Sequence, residues 1–300
     1  MKIRLLPALL LPLLLSDCGD NNGDTATTAL SPQEMYEKGR ALMKPNVEQA
    51  SSDAQQALGW IQQAAEGGFA RAQLDLGGLY MYGGKDIEAD GAKALRWFSR
   101  AAQQGSREAE YFIGELYRCG QGVPADAGKA MEHWRIAAEA GIAEAQQRLG
   151  HALVQSEASF DEGLTWLFRA ATEGAANGKA EAACDLGNIY ARGKAGVQAN
   201  MEKAAHWYGI AAEGGSVKAQ FIYALLLLDG DVIPRDEEAG MFMLRRAASQ
   251  DYIPAMAEFI RQLLTAPNAT PEQQQEADAW NKRLIELQEK QKKQPAGAGR

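Results

Sequence analysis

The sequence contains few of the residues that build metal sites and β-sheets. Its 300 residues include three cysteines and three histidines. No CxxC pair or HExxH motif brings them together, so a zinc site is not expected. Valine, isoleucine and threonine are scarce, which disfavours sheets. These absences predict an α-helical chain that carries no metal or other cofactor.

Positive charge is also in deficit. Lysine and arginine number 31 against 39 aspartates and glutamates, which gives a net charge of −8. A nucleic-acid-binding protein needs a basic face for the phosphates, so we expect no nucleic-acid partner. An acidic chain is compatible with a basic protein partner, because opposite charges speed encounter.

The motifs of common hydrolases and nucleotide-binding enzymes are missing as well. No GxSxG elbow or SxxK pair offers a serine nucleophile. Gly83-Gly84-Lys85 lacks the upstream glycine spacing and the strand of a phosphate loop. We therefore expect a protein that is not an enzyme and whose chemistry is recognition.

The first residues have the pattern of an export signal. Lys2 and Arg4 precede an apolar run over residues 5–15, which is too short to span a bilayer as a mature helix. Residues 1–17 are therefore interpreted as a signal peptide. The letters LSDC at 15–18 resemble the lipobox of bacterial lipoproteins, although Asp17 departs from its pattern.

The lipobox resemblance implies that Cys18 carries a lipid. Because Gly19 is not the aspartate that retains such proteins in the inner membrane, a periplasmic protein anchored to the outer membrane is expected. The alternative is an ordinary cleavage site beside a free thiol. Residues 18–30 are predicted to be a flexible tether, because glycine, asparagine, aspartate and threonine dominate there.

The rest of the chain is a tandem repeat. An alanine recurs every 36 or 37 residues, at Ala72, Ala109, Ala145, Ala182, Ala219 and Ala255. Four positions after each alanine stands Leu76, Ile113, Leu149, Leu186, Tyr223 or Phe259, and in four units the next residue is Gly77, Gly114, Gly150 or Gly187. This spacing places one helix face toward a neighbour. Each unit is therefore predicted to begin with a helix whose glycine lets a second helix approach closely.

A second series marks the other helix of each unit. Ala-Ala pairs recur at 64–65, 101–102, 137–138, 170–171, 211–212 and 247–248, and Trp60, Trp97, Trp166 and Trp207, four positions before a pair, are expected in the core. Glycine-rich turns such as 120–124 join the two helices. No such turn occurs near Ser156, so that unit is expected to be degenerate. Capping boxes predict helix starts at Ser31 and Thr270.

These residues resemble the Sel1-like repeat family, a relative of the tetratricopeptide repeat. The segment AEYFIGELYRCGQGVPADAGKAMEHWRIAAEAG, residues 109–141, is close to the family pattern, and the resemblance covers about residues 54–264. It implies an all-α, right-handed α/α solenoid of about five to six helix-turn-helix repeats over residues 31–268. A polar capping helix is predicted for 269–293, because the ends of a solenoid need a polar cover, and a disordered tail for 294–300.

The same resemblance implies a binding site. In the tetratricopeptide fold the first helices line a concave groove, and its exposed positions carried over here mix acids with aromatic and aliphatic side chains. Interfaces favour that composition, whereas a solvated face without a partner is the alternative. The predicted groove consists of Arg71, Leu74, Met81, Tyr82, Glu108, Tyr111, Glu115, Arg118, Glu144, His151, Glu181, Asn188, Arg192, Lys218, Phe221 and Leu225. Cys119 and Cys184 also fall on this face, at a separation of roughly 20 Å for stacked helices, too far for a disulfide.

The sequence thus predicts a non-catalytic protein-binding scaffold of the bacterial envelope. Sel1-like periplasmic lipoproteins include immunity proteins that neutralise phospholipase effectors of type VI secretion. An acidic scaffold could occlude the active site of such an effector if the effector is basic. The alternative is a scaffold for envelope assembly or exopolysaccharide export. A more distant alternative is a β-lactam-binding or hydrolytic enzyme, for which paired cysteines and a nucleophile with a base are missing.

Overall fold

A computed structural model describes residues 30–42, 52–84, 87–174, 176–265 and 270–293. The predicted signal peptide over 1–17, Cys18 and the predicted tail over 294–300 lie outside the described residues. So does the predicted tether, except for Leu30. The described part contains fourteen α-helices, one short 3-10 turn and two isolated β-bridges. None of its helices combines the length and the apolar character that crossing a membrane requires.

The helices follow one another with short connections. Their bounds are α1 Pro32–Leu42, α2 Ser52–Glu66, α3 Ala70–Tyr82, α4 Gly91–Gln103, α5 Arg107–Cys119, α6 Ala127–Glu139, α7 Ala143–Leu153, α8 Phe160–Glu173, α9 Ala176–Arg192, α10 Met201–Glu213, α11 Val217–Asp229, α12 Glu237–Ser249, α13 Ile253–Thr265 and α14 Pro271–Lys293.

The helices pack in consecutive pairs. α1 packs on α2, α3 on α4, and so on to α13 and α14, and the second helix of each pair also packs on the first helix of the next. This arrangement confirms the predicted all-α solenoid of helix pairs. One pair cannot bury its own apolar stripe, so neighbouring pairs cover it. Odd-numbered helices are the first helices of the units, and even-numbered helices are the second helices.

Local sequence fixes where many helices begin. Four second helices have an aspartate or asparagine at the N-cap whose side chain accepts a hydrogen bond from a backbone N–H three residues later, at Asp90, Asp126, Asn200 and Asp236. Both predicted capping boxes are confirmed. Ser31 N donates to Glu34 Oε2 at 2.7 Å, and Thr270 N donates to Gln273 Oε1 at 2.9 Å.

The glycines of the first helices allow the close approach that the spacing predicted. A Cβ added at Gly77 would lie 2.7 Å from the Phe98 ring, and one at Gly114 would lie 2.5 Å from the Trp134 ring. Gly187 meets Tyr208 in the same way, again at 2.7 Å. Because ordinary carbon contacts are about 3.5–4.0 Å, no larger residue fits at these positions without displacing the ring.

The expectation that the recurrent tryptophans lie in the core is wrong. Trp60, Trp97, Trp166 and Trp207 are only half-buried, whereas the next residue along each helix is buried, namely Ile61, Phe98, Leu167 and Tyr208. An α-helix turns about 100° per residue, so adjacent positions cannot both face the glycine. Three of the tryptophan rings lie instead beside cations, with Lys38 Nζ 5.2 Å from Trp60, the Arg100 guanidinium 4.7 Å from Trp97 and that of Arg169 5.0 Å from Trp166.

Buried glutamines connect three of the units to the unit before them. Each follows the recurrent alanine, and its Nε2 donates to the carbonyl of the second alanine in the preceding Ala-Ala pair. The three bonds are Gln73 to Ala65 at 3.0 Å, Gln146 to Ala138 at 3.1 Å and Gln220 to Ala212 at 3.2 Å. A buried amide needs such a partner, so these bonds fix how one unit sits on the next.

The α7–α8 unit is degenerate, as the missing glycine-rich turn predicted. α7 ends at Leu153, and the chain turns back at once through a 3-10 turn over Glu157–Ser159, where Ser159 Oγ donates to the Leu153 carbonyl at 2.7 Å. The following first helix, α9, has 17 residues against 13 in α5. Its extra turn packs on the start of α7, where a Cβ at Gly178 would lie 2.5 Å from the Ala143 backbone.

Candidate functional site

Side chains of consecutive first helices meet along one side of the solenoid. We call this side, formed by α3, α5, α7, α9 and α11, the first-helix face. At its N-terminal end three side chains converge on Asp75 of α3. Tyr36 of α1 donates to the carboxylate at 2.8 Å, and Arg71 and Arg40 lie 3.3 Å and 3.8 Å from it. Burial, and then the hydrogen bond to Asp75, raise the pKa of Tyr36, so its hydroxyl stays protonated as a donor.

The middle of the first-helix face holds a carboxylate between two guanidinium groups. Glu115 of α5 is 6% exposed. Arg118 of the same helix approaches its carboxylate to 2.9 Å, and Arg148 of α7 approaches it to 3.1 Å. The hydrogen bond to Glu115 raises the pKa of Arg118. A buried carboxylate requires such pairing. Because two positive charges face one negative charge, this cluster has a positive excess.

A third cluster connects α7 to α9. Gln147 donates to one oxygen of Asp185 at 2.7 Å, and His151 Nδ1 lies 3.1 Å from the other. The hydrogen bond to Asp185 raises the pKa of His151 above its ordinary value of 6.5. His151 and Asp185, together with Asn188 and Arg192, line a small cleft of about 260 Å³ between the two helices.

Aromatic side chains stand between the charged clusters. Tyr82, the last residue of α3, is 71% exposed. Tyr111 of α5 is half-buried, and burial followed by the charge of Glu115 raises the pKa of Tyr111. Farther along the face, Phe221 of α11 is half-buried with its ring 5.7 Å from that of Tyr252.

A cleft of about 470 Å³ opens beside Tyr82, between α1, α3 and α5. Its wall combines the glycine backbone at Gly78 with Phe112, and charged side chains of Arg71 and Glu108 stand at its edge. An apolar surface with a few charges around it suits a side chain of another protein.

All predicted groove residues lie on first helices, but their exposure differs. Those exposed are Arg71, Tyr82, Glu108, Arg118, His151, Glu181, Arg192 and Lys218. Those half-buried are Tyr111, Glu144, Asn188, Phe221 and Leu225. That this face binds a partner stays a prediction.

The expected exposure is wrong for Leu74, Met81 and Glu115, and also for Cys184. Leu74 and Met81 are 8% and 7% exposed, because they pack in the core cluster that joins α3 and α4 to α5. The packing of α3 against α4 and α5 therefore fills a position that a more open groove would expose. Cys184 is buried and Cys119 exposed, and both are free thiols.

Sequence reasoning missed a whole register position of the face. The residue directly before the recurrent large apolar residue contributes Asp75, Phe112, Arg148 and Asp185 to the clusters and clefts described above. Charged residues at the same offset in three units were the available signal. With these residues included, the face carries five lysine and arginine side chains against six carboxylates, so the acidic excess of the chain is not concentrated there.

Among the described residues, no group of three or more histidine, cysteine, aspartate or glutamate side chains is arranged to hold a metal ion. The repeated helix pairs and the continuous first-helix face define an α/α-solenoid repeat protein. The profile of the Sel1 repeat matches most of the chain, and the chain belongs to the Sel1 repeat family, whose repeats mediate protein binding. The matched segments are 25–69, 70–106, 107–142, 143–174, 180–216 and 217–252.

Solved structures share this fold. A Sel1 repeat protein from Oxalobacter formigenes is 24% identical, with a TM-score of 0.71 over 84% of this chain and 99% of that chain. A protective antigen present in uropathogenic Escherichia coli strains is 26% identical, with a TM-score of 0.66 over 86% of this chain and 54% of that chain. An immunity protein from Pseudomonas aeruginosa is 22% identical, with a TM-score of 0.50 over 73% of this chain and 82% of that chain.

Proposed function

We propose that this protein is a non-catalytic scaffold that binds another protein through its first-helix face. The observation that carries the proposal is Tyr82, a large aromatic residue that is 71% exposed beside a cleft of about 470 Å³. Exposing a tyrosine to water gains little for the fold, whereas tyrosine and arginine anchors dominate the energy of protein interfaces. Arg71 and Glu108 at the edge of the cleft supply the polar surround.

Affinity purification from envelope extracts, followed by quantitative mass spectrometry, tests this proposal with two variants. Tyr82→Ala removes the exposed ring of the first-helix face. Phe242→Ala is the matched control, because Phe242 is 60% exposed on the second helix α12. We expect a partner that the natural protein and the control both retain to be recovered about tenfold less with Tyr82→Ala, as a loss of about 1.4 kcal/mol would give. Equal recovery with all three proteins would contradict the proposal.

A second variant pair probes the rest of the face. Tyr111→Ala combined with Phe221→Ala should also weaken binding of the same partner, because both rings lie on the first-helix face. Both rings are half-buried, so thermal unfolding must accompany the binding measurement. Weaker binding by a variant that still unfolds cooperatively supports the face, and unchanged binding argues against it.

Within this role, we propose that the partner is a phospholipase effector of type VI secretion and that the protein is an immunity protein. An immunity protein is among the solved proteins with this fold. The mixed charge of the first-helix face suits occlusion by shape and aromatic anchors, so the effector need not be basic. Co-expression with a phospholipase effector directed to the periplasm should restore growth, and Tyr82→Ala should not. No protection by the natural protein, together with loss of polymer secretion on deletion, would favour an export scaffold instead.

We propose a location that matches this role, in the periplasm and anchored to the outer membrane by a lipid on Cys18. The support is the signal-like run over residues 5–15 that precedes the lipobox-like sequence. Cells fed labelled palmitate should incorporate the label into the natural protein but not into Cys18→Ser. A natural protein that remains unlabelled would exclude the lipid anchor without affecting the binding proposal.

A further inference from the structure

A cleft of about 740 Å³ opens between the start of α6 and the end of α7. Its apolar wall consists of Ala127, Ala130, Met131, Trp134 and Ala152. At this cleft the connection from α7 to α8 turns back directly at Leu153, and no glycine-rich turn of that connection extends over α6.

One unit earlier, the equivalent place is occupied by the chain itself. Gly91 begins α4 as Ala127 begins α6, and the turn that follows α5 lies directly on it. A Cβ added at Gly91 would be 2.5 Å from the backbone of Gln121, and one added at Gly122 would be 2.1 Å from the backbone of Gly91. The Gln121 side chain also donates to the Met81 carbonyl at 2.6 Å. A turn thus covers Gly91, whereas Ala127 is exposed.

The rim of the open cleft is cationic. Arg118, Arg148 and His151 line it, and the two arginines share the single carboxylate of Glu115. Asp126, also on the rim, already accepts from the Lys129 backbone as the N-cap of α6. His151 has its own partner in Asp185. Among the described residues, one of these two arginine charges therefore has no carboxylate of its own, and a carboxylate on an incoming segment would satisfy it with charge-assisted hydrogen bonds.

We propose that this cleft receives a turn of the partner protein, which occupies the place that the chain's own turn fills one unit earlier. The incoming turn has a glycine at its closest approach to α6, as Gly122 has on α4 with a φ of 77°, and an acidic side chain that meets Arg118 and Arg148. This inference rests on the proposed function and adds where the partner inserts and which chemistry it presents.

A peptide with the sequence of residues 120–126, GQGVPAD, is a suitable probe, because it contains both the glycine turn and an aspartate. Nuclear magnetic resonance of the full protein titrated with this peptide should show saturable shifts at the amides of Ala127 and Met131 and at the Trp134 indole. Peptides with Gly122→Leu or Asp126→Asn are the controls and should bind about tenfold more weakly. Absence of shifts, or equal binding of the control peptides, would overturn the proposal.

Protein variants locate the site. Ala127→Leu fills the cleft at an exposed position and should abolish the shifts, whereas Met201→Leu changes the equivalent first position of α10 and should preserve them. Arg118→Gln should remove the preference for the aspartate peptide over its Asp126→Asn form, as a double-mutant cycle would reveal. Unchanged peptide binding by Ala127→Leu would show that the peptide binds elsewhere.

The two proposals can fail separately. If a partner is lost with Tyr82→Ala but retained in full with Ala127→Leu, the first-helix face binds the partner and the cleft does not receive it. If Ala127→Leu alone reduces partner recovery while Met201→Leu and Tyr82→Ala do not, the cleft is the docking site and Tyr82 is not the anchor.

Discussion

The α3–α4 and α5–α6 units share their internal packing but differ in what covers them. In both, a glycine of the first helix meets a buried ring of the second, Phe98 or Trp134, and an aspartate caps the second helix. The turn of the next unit covers α4 at Gly91, but the shortened α7–α8 connection leaves Ala127 of α6 exposed. In these two units, the unit's own residues form its interior, whereas the cover of the second helix differs with the turn of the next unit.

The largest loss of stability is expected for substitutions inside the units, because both units place a glycine of the first helix against a buried ring of the second. Gly114→Leu would place side-chain atoms against the buried Trp134 ring, since even a Cβ would lie 2.5 Å away. We expect destabilisation near the upper end of about 1–3 kcal/mol, measured by urea unfolding. Gly187→Leu should destabilise the fold by a similar amount, because its side chain would meet the buried Tyr208 ring. An unchanged unfolding midpoint in either variant would contradict the assigned helix contact.

A smaller loss of stability should distinguish the start of α4, which a turn covers, from the start of α6, which is exposed. Gly91→Leu displaces the Gln121–Gly122 turn, which can move more readily than a core ring, so we expect a loss of about 1 kcal/mol. Ala127→Leu occupies an exposed position and should leave stability within about 0.5 kcal/mol of the natural protein. Equal losses in the two variants would mean that the cover does not differ between the units.

The smallest effect on stability is expected from the pair of His151 and Asp185, which connects α7 to α9. His151 has a raised pKa because of its hydrogen bond to Asp185. The protonated pair therefore stabilises the fold fully below the ordinary histidine value of 6.5, and this contribution is lost as the pH rises through the folded value. Asp185→Asn should move the His151 titration, followed by nuclear magnetic resonance, back toward that ordinary value. An unchanged titration midpoint would show that the Asp185 contact is not formed in solution.

The sequence was sufficient to predict the interior of the units. The recurrence of alanine, a large apolar residue and glycine identified the first helices, and Gly77 and Gly114 do lie against rings of the second helices. These positions can be predicted from the sequence because steric exclusion at a helix crossing permits little besides glycine. The capping boxes at Ser31 and Thr270 could be predicted for a similar reason, since few side chains can accept hydrogen bonds from the free N–H groups of a helix start.

The surface could be predicted less well. Trp97 and Phe98 are adjacent and both aromatic, so composition could not tell which one faces Gly77. Leu74 was expected in the groove, but its packing in the cluster with α4 and α5 decides its exposure, and that packing is not local information. The missing turn near Ser156 was a sequence signal for the open cleft. The cationic rim of the cleft could not be predicted, because it depends on Arg148 of the next first helix, which approaches Glu115 only in the folded protein.

The most direct test of the claim that the first-helix face binds a protein is photocrosslinking in cells that make the protein naturally. Benzoylphenylalanine replaces Tyr82 on the first-helix face or, in a separate strain, Arg96, which is exposed on the second helix α4. We expect irradiation to give a discrete protein adduct from position 82 and none from position 96. An adduct from position 96 alone, or none from either position, would contradict the claim.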